Sequence, residues 1–118
     1  MLPEKLHAKV LENLSQLAGF EGGAIVSDEG LIIASRFAKK MPEEKEAALI
    51  SETVRLAKRV TAEAGWGELD NMVIEGTNGK LVLYKTKLGF VAVFGSKDLN
   101  LGLARVTLDE ASQELDKE

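Results

Sequence analysis

Residues 23 to 35 read Gly-Ala-Ile-Val-Ser-Asp-Glu-Gly-Leu-Ile-Ile-Ala-Ser, and this stretch constrains the fold more than any other. Two apolar runs, Ala24-Ile25-Val26 and Leu31-Ile32-Ile33-Ala34, flank a polar insert, Ser27-Asp28-Glu29-Gly30. Gly30 takes positive φ without a Cβ penalty, so the insert can close a tight β-hairpin. Each arm is apolar at consecutive positions rather than alternating ones. Both arms are therefore expected to be buried on two faces, as central strands are. Such a hairpin needs helices above and below it.

The rest of the chain supplies them. Between Pro3 and Ala18, apolar Leu6, Val10, Leu14 and Leu17 fall on one helical stripe. Pro3 and Glu4 suit its first turn, and Gly19 is placed as its C-cap. A polar connector over residues 36–41, with the doublet Lys39-Lys40, leads to Pro42, which is expected to open a second helix. Glu43, Glu44 and Glu46 fall in its first turns, and the helix runs to about Ala64, where Gly65 and Gly67 end it. Three short strands follow over residues 69–75, 81–86 and 90–94. Asn78-Gly79 is expected to turn the first pair and Lys87-Leu88-Gly89 the second, giving an antiparallel meander. Asn100 is placed as the N-cap of a third helix carrying Leu101, Ala104, Leu108, Ala111 and Leu115 on one face. The expected order is α-β-β-α-β-β-β-α, an α+β sandwich. Residues 1–118 are expected to form one domain, since the length suits one and no internal boundary, repeat or linker is visible.

The second helix carries more apolar surface than one contact needs. Ala47, Ile50, Val54 and Ala57 form one stripe; Leu49, Thr53, Leu56 and Val60 form another. Together they cover about half the circumference, against roughly 100° for a single core contact. One stripe can rest on the sheet. The other needs a second cover, either a loop or helix of the same chain or a second copy of this helix.

Several chemistries are excluded or disfavoured. The chain has no cysteine, so disulfides, thiolate catalysis and thiolate metal sites are absent. Its one histidine, His7, has no nucleophile motif around it and reads as a boundary residue of the first helix. Asp28 and Glu29 are adjacent carboxylates without calcium-loop spacing, and turn chemistry accounts for Asp28. Asp70-Asn71 reads as a strand start. The Gly19, Gly22, Gly23 cluster precedes a strand, whereas a phosphate-cradling loop follows one and opens a helix. Gly76 to Lys80 is too short for such a loop and lies between strands. No catalytic residue, cofactor or metal site is expected. Net charge is −4, and Trp66 and Tyr84 are the only aromatics besides phenylalanine, so no nucleic-acid platform is expected. The charged N-terminal segment does not read as a signal peptide, and no apolar run approaches a membrane-spanning length. A cytoplasmic location is the expectation.

The ordered elements resemble the Roadblock (roadblock/dynein light chain) family, in particular its small prokaryotic members. Three segments carry the likeness: Gly22 through Ser35, with its Asp-x-Gly turn between apolar runs; the meander Val73-Ile74-Glu75-Gly76, Gly79 through Tyr84, and Gly89 through Val93; and Asn100-Leu101-Gly102-Leu103-Ala104-Arg105. The likeness spans about residues 4 to 116. It implies a five-stranded antiparallel sheet with the second helix on one face and the first and third on the other. It also implies a homodimer formed by the second helix and third strand across a two-fold axis, which would place Leu49, Thr53, Leu56, Val60, Met72 and Ile74 at the interface. Family members have no enzymatic chemistry of their own. They regulate or scaffold small Ras-like GTPases or serve as light chains of motor complexes. The bacterial gliding-motility regulator of the family contacts a GTPase and raises its hydrolysis rate without donating an arginine. The expected partner surface is the polar side of the second helix: Ser51, Glu52, Arg55, Lys58 and Arg59. The sequence ends soon after the third helix, without the extension some gliding-motility regulators carry, which weakens the expectation of GTPase activation but not that of the fold. The competing expectations are a structural assembly module without a GTPase and a small-molecule sensor using the cleft between sheet and helix.

Overall fold

The computed structural model describes residues 2–38 and 43–117. The Lys39-Lys40 doublet and Pro42 lie outside the described residues. The elements run α1 (Pro3–Ser15), β1 (Phe20–Ser27), β2 (Ile32–Phe37), α2 (Glu43–Glu63), β3 (Asn71–Glu75), β4 (Gly79–Thr86), β5 (Gly89–Ser96) and α3 (Leu101–Asp116). The strands form one sheet in the order β2-β1-β5-β4-β3, with every neighbouring pair antiparallel. The order and layering are those expected from the sequence.

Strand alternation divides the core in two. Ile25, Val82, Val91 and Val93 face α1 and α3, where they meet Leu6, Val10, Leu14, Leu108 and Leu115. Ala24, Val26, Leu83, Phe90 and Ala92 face α2, where they meet Ile50 and Val54. β1 and β5 are thus sandwiched, and Ala24, Ile25 and Val26 are fully buried. Each such leucine, isoleucine or valine contributes on the order of 2 kcal/mol by leaving water.

Helix ends follow local chemistry. Asn100 Oδ1 accepts the Leu103 N–H at 2.9 Å and caps α3. After α2, the Gly65 N–H reaches Ala62 O (3.2 Å) and the Trp66 N–H reaches Thr61 O (2.8 Å), a Schellman closure with Gly65 at φ +75°. α1 stops earlier than its stripe suggested. Its C-cap is Gln16, and a further turn carries Leu17 into the core. Gly19 is no cap. It sits at φ +85° where the chain enters β1, and a Cβ there would lie 2.8 Å from Leu99 N.

Three expectations about the strands are corrected. The second arm of the opening hairpin is not doubly buried: β2 is an edge strand, Leu31 before it is 65% exposed, and Ile33 is also exposed. The register explains it. Ile25 pairs with Ala34 but Val26 with Ile32, so Ile33 is an unpaired bulge residue. The Asn-Gly dipeptide is not the centre of the β3–β4 turn either. Glu75 pairs with Lys80, and the Gly76 N–H reaches Gly79 O at 2.8 Å, so Thr77-Asn78 is central. Gly79 is required elsewhere: a Cβ there would lie 2.9 Å from Gly95 O on β5. Strand three also starts later than expected, because buried Leu69 precedes it.

Candidate interaction surface on the second helix

At about 100° per residue, α2 presents an underside, two flanks and a crest. The underside is the first apolar stripe. Ile50 and Val54 are buried on the sheet, with Ala57 partly buried beside them.

The first flank is the second stripe, Leu49, Thr53, Leu56 and Val60. No described residue covers it: Leu56 is 60% exposed, and Leu49 and Val60 about half. A same-chain cover is therefore absent among the described residues. Across from this flank stand Met72 and Ile74. They alternate with Val73, whose side chain joins the opposite core. The groove between holds a cavity of about 400 Å³, floored by Leu69 and walled by Leu56, Val60, Met72 and Ile74. β3 is the edge strand on this side, so its outer backbone edge has no strand neighbour in the sheet. The structure thus brings Thr53, Leu56, Val60, Met72 and Ile74 around one apolar groove. Leu49 lies one turn further along, over a second cavity of about 340 Å³ shared with Leu81 and Phe94. Glu46, which the sequence placed among the first-turn acids, is buried at this end.

The other flank holds the opening hairpin. Lys58 Nζ lies 3.1 Å from Asp28 Oδ2 and donates to Asp28 O at 2.5 Å. A Cβ on Gly30, whose φ is +90°, would lie 3.2 Å from Arg55 Cγ and 3.3 Å from Ser51 O. The turn itself is closed by Gly30 N–H to Ser27 O (3.0 Å) and Leu31 N–H to Ser27 Oγ (3.1 Å). Glu52 and Arg59 stand on the crest, exposed, with Arg59 Nε donating to Glu63 Oε2 at 3.2 Å. The five polar residues therefore separate: Ser51, Arg55 and Lys58 border the hairpin turn, while Glu52 and Arg59 border the apolar flank.

Leu69 and Leu81, which line the two cavities, are not marked by the sequence pattern, in which Leu69 reads as the first residue of a strand. Nor is Trp66, 73% exposed between two positive-φ glycines, Gly65 and Gly67. A lone tryptophan bracketed by glycines just past a helix end was the available signal.

The remaining candidates sit as turn and boundary residues. His7 is half-buried on α1. Asp70 Oδ2 accepts from Asn71 Nδ2 at 2.8 Å beside the start of β3. Among the described residues no group of three or more acidic, histidine or cysteine side chains could hold a metal ion. No described helix is long and apolar enough to cross a membrane.

Comparison with known proteins gives one consistent result. The family model of the Roadblock/LC7 domain matches residues 6–94. The uncharacterized protein MJ1340 of Methanocaldococcus jannaschii is 33% identical over 107 residues, covering 91% of this chain and 94% of that protein. Among solved structures, MglB of Myxococcus xanthus superposes with a TM-score of 0.83 at 24% identity, covering 99% of this chain and 96% of that one. An MglB solved in a tetrameric arrangement also superposes at 0.83, with 16% identity and 99% and 90% coverage. At these identities the two structural matches establish a shared fold.

Proposed function

The chain belongs to the Roadblock/LC7 domain family, and from that premise we propose that it is a non-enzymatic homodimeric regulator or adaptor of a small Ras-like GTPase. One observation carries the dimer: the apolar flank of α2 and the edge strand β3 are both left uncovered by the described residues and face one groove. An apolar surface of this kind on a small domain is an association site. A two-fold axis beside it would pair flank with flank and edge with edge. Leu49, Thr53, Leu56, Val60, Met72 and Ile74 would then leave water together.

Family membership and the fold shared with MglB support the GTPase as partner. Pairing the two α2 helices brings their crests side by side as one polar platform. Glu52 and Arg59 would lie nearest the axis, with Ser51, Arg55 and Lys58 on the outer slopes. Such a platform acts on the GTPase by binding and positioning; stimulated GTP hydrolysis is the activity to test. GTP turnover of a Ras-like protein encoded beside this chain should rise, or its nucleotide state should alter binding, when the chain is added. Absence of binding to any such GTPase at micromolar concentrations would leave the assembly-module reading in its place.

A further inference from the structure

We infer that two copies of the chain recognise each other through reciprocal Glu52–Arg59 pairs flanking an antiparallel α2–α2 seam. This rests on the homodimer proposed above and adds the charge pairs that set its register and self-recognition. The exposed flank residues Leu49, Thr53, Leu56 and Val60 are spaced four, three and four apart, the alternation of d and a positions in a heptad. That seam can pair end for end with a second copy of itself. Antiparallel about a two-fold, Leu49 meets Val60 of the second copy and Thr53 meets its Leu56, so every contact is made twice. Thr53 does not spoil the seam. Its hydroxyl donates to Leu49 O at 2.6 Å within its own helix, leaving its methyl for the partner.

The charges select the same arrangement. Glu52 and Arg59 each immediately precede an a position, Thr53 and Val60, so both are g residues, and both are exposed on the crest. In an antiparallel pair, g positions flank g positions. With Thr53 opposite Leu56, Glu52 stands beside Arg59 of the second copy, and symmetry supplies the pair again. A parallel pair would instead set Glu52 against Ala57 and Arg59 against Ala64 of the second copy, where neither finds an opposite charge. The Arg59 Nε–H already holds Glu63 of its own helix at 3.2 Å, which orients the guanidinium and leaves its other N–H donors for a second carboxylate. Paired opposite charges at a rim fix register and partner choice more than they add affinity. The occupant of the flank is thus a second copy of this chain, matched by its own charge pattern.

The test is a charge-exchange pair. Glu52→Arg makes positions 52 and 59 both cationic, and Arg59→Glu makes them both anionic. Both sites are exposed, so unchanged circular dichroism is expected of each. By sedimentation, each variant alone should self-associate about tenfold more weakly than the unmodified chain, since two pairs become repulsive. An equimolar mixture should recover dimers as tight as the original, each containing one copy of either variant. Variants that dimerise as tightly as the unmodified chain overturn the inference while leaving the homodimer standing. So does a mixture no tighter than its components. An unmodified chain that is monomeric at tens of micromolar overturns the homodimer and this inference together.

Discussion

Lys58 on α2 grips Asp28 in the hairpin turn twice, through its carboxylate at 3.1 Å and its backbone carbonyl at 2.5 Å. The contact spans thirty residues of sequence and joins the most conspicuous hairpin of the chain to the helix that bears the proposed interaction surface. It marks the side of α2 that faces the hairpin, opposite the apolar flank.

Lys58→Met should loosen that junction. The side chains are 35% and 65% exposed, so the ion pair itself is worth only about 0.5–1 kcal/mol after solvent screening. Chemical denaturation should show that small loss. Amide exchange should quicken at Gly30 and Leu31 while the centre of β5 stays protected. Equal quickening in both places would mean the contact is not local.

Gly89 admits no side chain. Its φ is +147°, and a Cβ there would lie 2.2 Å from Val26 O, because the β4–β5 turn closes directly against the end of β1. Thr86 Oγ1 locks the turn by accepting from Leu88 N–H (3.0 Å) and Gly89 N–H (3.2 Å). Gly89→Ala should cost on the order of 3 kcal/mol in denaturant unfolding. Gly67→Ala, where nothing lies within 4 Å, should cost far less despite its positive φ.

Alkaline pH should weaken the Lys85–Glu68 contact between β4 and the loop that precedes β3. Lys85 Nζ holds Glu68 Oε1 at 2.5 Å, and this hydrogen bond raises the lysine above its ordinary value of 10.5. A raised lysine contributes stability fully present below the ordinary value, lost as pH climbs through the higher folded value. NMR titration should place Lys85 above a free lysine, and Glu68→Gln should bring it down. Titration at or below the free value in the unmodified chain would contradict the contact.

The sequence showed more of the scaffold than of the surface, for a physical reason. α1 and α3 are governed by local periodicity, and Leu14 and Leu108 are buried as their spacing requires. The apolar run Leu31 to Ala34 looks no different from a central strand. Its exposure is set by a bulge at Ile33 and by which strand ends the sheet, and both are non-local. Gly79 likewise answers to Gly95 on β5, not to the turn beside it. The surplus stripe on α2 was legible because a helix has one circumference and this one is apolar over half of it. Its polar residues could not be divided by sequence alone. Only the docking of α2 on the hairpin sends Lys58 to Asp28 and leaves Glu52 and Arg59 beside Leu56 and Val60.

Sedimentation of the unmodified chain and of Leu56→Glu at tens of micromolar tests the central claim most directly. Leu56 is 60% exposed in the single chain, so the variant should fold as before. In a paired flank its carboxylate would be forced out of water without a partner, at a cost of several kcal/mol. The unmodified chain should be a dimer and the variant a folded monomer. A monomeric unmodified chain, or a variant that remains as dimeric as its parent, would rule out pairing through this flank.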